Sequence, residues 1–176
     1  FVGRQRELVL LDAVLQQVKA GRGHVVGLVG ALGGGKSRLL DEFRQRLTGQ
    51  HVRYAEGHCL AYGSVTPYLP ILDLLREHCG MAVDDPPETL IAKLRASLQQ
   101  VQLDAETTLP YLADLLGLPV DGDPFANLSA EARKARTFEA LRDLTRRLAG
   151  LRPLVLVVED LHWIDRTSEE YLGALI

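Results

Sequence analysis

Eight residues constrain this chain more than any others: Gly30-Ala31-Leu32-Gly33-Gly34-Gly35-Lys36-Ser37 fits the pattern G-x-x-x-x-G-K-[ST] in full. The segment before them, His24-Val25-Val26-Gly27-Leu28-Val29, is short and β-branched and reads as a buried strand. Lys36 to Leu47 reads as a helix behind the turn. Strand, glycine-rich turn and helix, in that order, build a cradle for phosphate. Glycines permit the dihedrals that aim successive backbone N–H groups inward, and the helix directs its positive N-terminus at the same anion. In such a cradle Lys36 reaches the β- and γ-phosphates of a nucleotide and the Ser37 hydroxyl sits on Mg²⁺. The alternative is a glycine-rich turn that matches by chance, and the flanking strand and helix argue against it.

Around this motif the pattern alternates between periods. From about Arg4 to Ala20, Leu8, Leu11, Leu15 and Val18 recur at helical spacing, and Gly21 and Gly23 end the run. Val52 to Gly57 reads as a second strand. Asp85-Pro86-Pro87-Glu88 opens a helix that Leu90, Leu94 and Leu98 continue, and a short helix follows from Leu109 to Leu116. Ser129 caps a long helix to about Leu148, with Phe138, Leu141, Leu144 and Leu148 on one face. Leu154 to Val158 is an unbroken apolar run of the kind that suits a parallel strand covered on both faces. Strands alternating with helices indicate an α/β fold with a parallel sheet.

That last strand ends in Glu159 and Asp160. Acids at the C-terminal ends of parallel strands lie where such sheets bind ligands. Beside a phosphate cradle one acid assists Mg²⁺ and a second orients or deprotonates the attacking water. Glu159 is assigned to the metal with Ser37, because it directly follows the apolar run, and Asp160 to the water; the roles can be exchanged. Both cannot face one site equally if the strand stays extended, because side chains alternate. His162 and Asp165 follow closely, and either reach the γ-phosphate or metal shell or fix the turn.

A formal net charge of −3 argues against a nucleic-acid platform. The two cysteines, Cys59 and Cys79, form no CxxC pair, which fits reduced thiols and a cytoplasmic setting. No apolar stretch approaches the roughly 18 residues of a membrane span. His58-Cys59 with His78-Cys79 offers four metal-binding side chains, but neighbours on a strand point to opposite faces, so buried small residues are the simpler reading. Arg133, Lys134, Arg136, Arg142, Arg146 and Arg147 give the long helix a basic side, interspersed with acids as on a solvated face. The start at Phe1 and the helical run at Glu169 to Ile176 suggest a piece of a longer protein.

Phe1-Val2-Gly3-Arg4 with Glu7-Leu8, Lys36-Ser37-Arg38-Leu39, and Val157-Val158-Glu159-Asp160-Leu161-His162-Trp163-Ile164-Asp165 together resemble the STAND/AAA-like ATPase domain. That domain occurs in bacterial adenylate/guanylate cyclase-linked ATPases and large LuxR-type regulators. Gly57-His58-Cys59 through Pro67-Tyr68-Leu69-Pro70, and the helix around Lys134 to Phe138, share the likeness, so it covers nearly the whole chain. It implies a P-loop NTPase of α/β class over 1–176: a parallel sheet flanked by helices, with a helical insertion at about 68–128 between the second strand and the Walker B strand, cut short at its C-terminus. It further implies ATP and Mg²⁺ as ligands. Gly30, Gly33, Gly34, Gly35, Lys36, Ser37 and Arg38 would lie at the nucleotide, with Val2, Gly3 and Arg4 near adenine and ribose. Lys36, Glu159 and Asp160 would be the catalytic set.

Relatives have a sensor strand between the phosphate-loop strand and the acidic strand, and a later basic residue; this sequence stops before both. The expectation is an isolated piece that lacks the middle of its sheet and is poorly stable or incompetent in hydrolysis. Ala31 and Gly34 also depart from the usual loop, and three consecutive glycines raise the entropic cost of ordering it. The leading function is therefore an ATP-binding, slowly hydrolysing signalling switch. It would be joined covalently to cyclase or helix-turn-helix and repeat domains, with ATP/ADP as ligands, nucleotide-dependent oligomerisation, and no nucleic-acid or membrane contact of its own. A non-hydrolysing ATP-binding scaffold and a small-molecule kinase are the alternatives.

Overall fold

The computed structural model describes residues 3–31, 33–61, 67–122 and 124–176. Its elements are α1 (Gln5–Lys19), α2 (Lys36–Leu47), β1 (Arg53–His58), α3 (Leu69–Cys79), α4 (Pro87–Gln100), α5 (Ala105–Leu115), α6 (Ala130–Leu151), β2 (Leu154–Glu159), a 3₁₀ turn (Leu161–Trp163) and α7 (Arg166–Leu175). The chain divides into two compact units, Phe1–Tyr54 with Arg152–Val155, and Ala55–Leu151 with Leu156–Ile176. None of the described helices is long and apolar enough to cross a membrane. Val2, Leu32 and Tyr62 to Thr66 lie outside the described residues.

The first unit is organised by two amphipathic helices. Leu8, Leu11 and Leu15 of α1 interlock with Leu39, Phe43 and Leu47 of α2, and Leu28, Val52, Tyr54 and Val155 pack partly buried against them. Each fully buried leucine contributes roughly 1.5–3 kcal/mol. Arg46 pairs with Asp12 at 2.8 Å on the outer side of the helix pair.

The segment 24–29 corrects the sequence reading. It forms no strand among the described residues, and Val25, Val26 and Val29 are 68%, 47% and 98% exposed. β-Branched residues fit a strand, but a strand exists only where a second segment closes its backbone hydrogen bonds. The sheet among the described residues contains β1 and β2 alone. β2 is also half-buried at every position, where its apolar run predicted cover on both faces.

Arg53 N donates to Pro153 O at 2.8 Å and Cys59 N donates to Glu159 O at 3.1 Å. Donor and acceptor numbers rise together, so the two strands run parallel. The N–H groups of Glu56 and His58 point to the opposite edge of β1. There they meet Glu77 Oε2 at 2.7 Å and Asp73 Oδ2 at 3.2 Å, one helical turn apart on α3. Two carboxylates thus occupy donors that would otherwise recruit another strand. The approach of α3 is close: a Cβ on Gly57 would stand 2.3 Å from the carbonyl oxygen of Pro70.

The second unit is otherwise helical, with Leu94, Leu98, Leu112, Leu144 and Leu148 fully buried. α5 begins four residues earlier than its pattern suggests. The Asp104 carboxylate caps it, accepting from Glu106 N at 3.1 Å and Thr107 Oγ1 at 2.9 Å, and this places Pro110 inside the helix. A good cap upstream outweighs the hydrogen bond that this proline removes. Ser129 caps α6 as its sequence implies, accepting from Ala132 N at 3.2 Å.

Phe138 lies edge-on between Tyr68 (6.1 Å) and Tyr171 (5.4 Å). Burial, then the Asp165 and Glu170 charges, push the Tyr68 phenol up to about 12. Burial likewise raises Tyr171, outweighing its contact with Thr145. Both folded values lie above the ordinary value near 10, so their contribution is fully present below pH ~10 and is lost as pH rises through the folded values. Alkaline titration followed by tyrosinate absorbance should show these two rings ionising last, together with loss of helical circular dichroism. Ionisation of all tyrosines near pH ~10 with the fold intact would contradict the burial assigned to them.

Candidate functional site

The phosphate loop belongs to the first unit. Gly35 is the N-cap of α2 with φ 76°, a left-handed conformation, and Gly33 has φ 72°. Gly34 N donates to Ala31 O at 3.0 Å, closing a turn so tight that a Cβ on Gly34 would lie 2.9 Å from that same oxygen. The glycines that the sequence reading expected to permit these dihedrals, at an entropic cost, are required by the loop's shape. The N-cap of α2 is a glycine, with no side chain of its own to cap the helix, and the positive N-terminus of α2 starts directly behind it. A left-handed glycine N-cap, a turn with no room for a Cβ and a helix N-terminus directly behind them together fit a phosphate group.

Lys36 and Ser37 are the first two residues of α2. Lys36 Nζ donates to Gly30 O (3.0 Å) and Ala31 O (3.2 Å), so the ammonium lies across the loop where phosphate oxygens would replace the two carbonyls. Arg38 points along the helix surface and pairs with Glu42 at 2.9 Å.

Arg4 lies closer to the phosphate loop than a ribose contact requires. One guanidinium nitrogen donates to Gly34 O, and another donates to Glu7 at 2.8 Å. A backbone amide in its own first turn, and then Arg4, hold the Glu7 carboxyl below its ordinary value. Gly3, exposed at φ 105°, precedes this clasp. Beside it a cavity of ≈ 340 Å³ runs between α1 and the 24–29 segment, lined by Arg4, Leu10, Val14, Val26, Leu28 and Lys36 among others. Its walls are mostly apolar, and Arg4, Glu7 and Lys36 supply its charged groups.

Glu159 and Asp160 belong to the second unit. Glu159 closes β2, and Asp160 turns out of it at φ 57°. The strand therefore does not stay extended, and the alternation that would separate the two acids does not govern Asp160. A non-glycine residue at positive φ is strained, and aspartate tolerates it better than most. Asp160 O accepts from Trp163 N at 2.8 Å, which starts the 3₁₀ turn. Asp165 is 6% exposed and caps α7 through Oδ1, accepting from Thr167 N (3.0 Å) and Ser168 N (2.9 Å). The same oxygen accepts from Tyr68 N at 3.3 Å. This is the turn-fixing role among those the sequence allowed.

Glu56, His58 and Glu159 come together at the C-terminal end of the two strands, their ligand atoms all within 4.8 Å of one another. The sequence reading named Glu159 and His58 but not Glu56; it considered His58 only beside Cys59, His78 and Cys79, and preferred buried small residues there. Cys59 faces the opposite way, 3% exposed, its thiol pushed up to about 11 by burial and then by Asp165, Asp160 and Asp73. The Glu56-x-His58 alternation is visible in the sequence, but the register that brings Glu159 beside it is not.

Over residues 1–176 the chain matches the family described as AAA ATPase domain. It is 32% identical over 178 aligned residues to the uncharacterized protein R02095 of Rhizobium meliloti (strain 1021). That alignment covers 98% of this chain and 17% of the relative, so the chain spans about a sixth of the relative's length. No solved structure matches it.

Proposed function

The chain belongs to the AAA ATPase domain family, and from that premise we propose that it binds Mg-ATP through Gly30 to Ser37 as the nucleotide switch of a larger signalling protein. The loop geometry carries this reading: a helix N-terminus directly behind the left-handed Gly35, with Lys36 laid across the turn. The apolar cavity of ≈ 340 Å³ in the same unit supports a nucleotide over free phosphate, because an adenine ring needs such walls. Arg4 would hold the loop shut through Gly34 O and turn toward phosphate when ATP arrives. Ser37 and Glu159 would hold Mg²⁺, and Asp160 would orient the attacking water. Bound Mg²⁺ would neutralise charge on the β- and γ-oxygens.

Slow hydrolysis, a cytoplasmic setting, attached cyclase or DNA-binding output domains and nucleotide-dependent oligomerisation complete the proposal. A non-hydrolysing scaffold is the second reading. It is favoured by the exposed valines of 24–29, directly before the loop, which give the cradle less backing than a strand in a sheet.

Calorimetry with Mg-ATP, Mg-ADP and the Lys36→Ala variant tests the binding. Wild type should bind saturably, and Lys36→Ala should weaken binding at least about tenfold, the loss of charged hydrogen bonds to phosphate. Equal affinity in the variant would remove the cradle from the account. Binding without turnover would leave the scaffold reading.

A further inference from the structure

We propose that Glu56, His58 and Glu159 form a binding site for a transition-metal dication of the Zn²⁺ class, at the C-terminal end of the β1–β2 pair. The site stands on strand geometry and does not depend on whether the chain hydrolyses ATP. Glu56 and His58 are two residues apart on β1 and so share one face of the sheet. The Cys59 N to Glu159 O bond sets the register, and in a parallel pair it brings His58 side by side with Glu159. Three ligand atoms consequently lie within 4.8 Å of one another on one surface. Donors around a tetrahedral zinc stand about 3.3 Å apart for bonds near 2.0 Å, so closure of roughly 1.5 Å by side-chain rotation completes the set.

A second observation concerns the histidine. Asp73 Oδ2 lies 3.7 Å from His58 Nδ1 and accepts from His58 N at 3.2 Å. A shift of under about 1 Å would let this carboxylate accept from a ring N–H, the contact that orients a metal-bound imidazole. Glu77 holds the Glu56 backbone in the same way at 2.7 Å, so α3 steadies both ligand residues of β1.

The donor set selects the ion. Mg²⁺ and Ca²⁺ take oxygen ligands and gain little from imidazole. One nitrogen and two carboxylates suit Zn²⁺, with a fourth position left for water. The site is half open to solvent, His58 being 54% exposed in its side chain, so an ion can enter without unfolding.

Titration calorimetry of the whole chain with Zn²⁺, repeated with Co²⁺ while its visible absorption is followed, reads the site directly. One saturable equivalent in the micromolar range is expected, with Mg²⁺ failing to compete at equal concentration. His58→Ala and Glu56→Gln should each weaken Zn²⁺ at least about tenfold, and His58→Ala should also change the Co²⁺ spectrum. Asp73→Asn should weaken it less, through the orientation of His58. Circular dichroism identical to wild type establishes that each variant is folded, which the exposure of His58 favours. No saturable Zn²⁺ binding by the folded wild-type chain would overturn the proposal. So would binding that survives both His58→Ala and Glu56→Gln. Glu159 is also the residue proposed for Mg²⁺, so the Zn²⁺ titrations are run without nucleotide and Mg-ATP binding is measured separately with Lys36→Ala, which keeps failure of one reading distinguishable from failure of the other.

Discussion

Gly57→Ala is expected to destabilise the second unit by about 3 kcal/mol, a methyl group forced against rigid backbone in a packed interior. The added Cβ would sit 2.3 Å from Pro70 O, 3.0 Å from its carbonyl carbon and 3.2 Å from its Cα. None of these atoms can rotate away as a flexible side chain would. Relief requires α3 to withdraw from β1, and that withdrawal would break the bonds from Glu56 N to Glu77 and from His58 N to Asp73. For a domain of this size the midpoint should fall by roughly 6–12 °C. Gly150→Ala in α6 and Gly173→Ala in α7 serve as controls, since a Cβ at either meets nothing within 4 Å. Each should be neutral or stabilise by up to about 1 kcal/mol, as alanine is the better helix former. If Gly57→Ala melted with the controls, the close approach of α3 to β1 would be wrong.

Asp165→Ala is expected to cost about 2–4 kcal/mol, the sum of a lost helix cap and a stranded amide. One oxygen, Oδ1, serves Tyr68 N, Thr167 N and Ser168 N, which ties the start of α7 to the residue that precedes α3. The other oxygen, Oδ2, is buried without a hydrogen-bond partner among the described residues, so an amide group in its place loses little. Asp165→Asn should therefore stay within about 1 kcal/mol of wild type. Hydrogen exchange separates this role from general packing: the Tyr68 amide should exchange faster in Asp165→Ala and keep its protection in Asp165→Asn. Equal losses in both variants would mean that charge, and not the accepting oxygen, matters at this position.

Legibility in the sequence followed the range of the forces involved. α2 begins and ends at Lys36 and Leu47, where the sequence alone places it, because its start is set by the adjacent glycine turn and its core face by a local period. Ser129 was readable as a cap for the same reason. α5 begins four residues before Leu109, where the sequence reading starts it, because the Asp104 cap sets the start and Pro110 does not end the helix. The 24–29 run was misjudged because strand composition is only half of a strand. The other half is a partner, and no local pattern supplies one.

The candidate site divides along the same line. The sequence by itself determined the phosphate loop, its lysine and serine, the helix behind it, and the acidic end of β2, since each depends on neighbours a few residues away. Only the tertiary structure decided that Arg4 clasps Gly34, that Asp165 is buried as a cap shared with Tyr68, and that Glu56, His58 and Glu159 converge. Each of those contacts joins segments that are distant along the chain. Strand register and helix docking bring them together, and both are set by the packing of whole elements, a property that no short stretch of sequence contains.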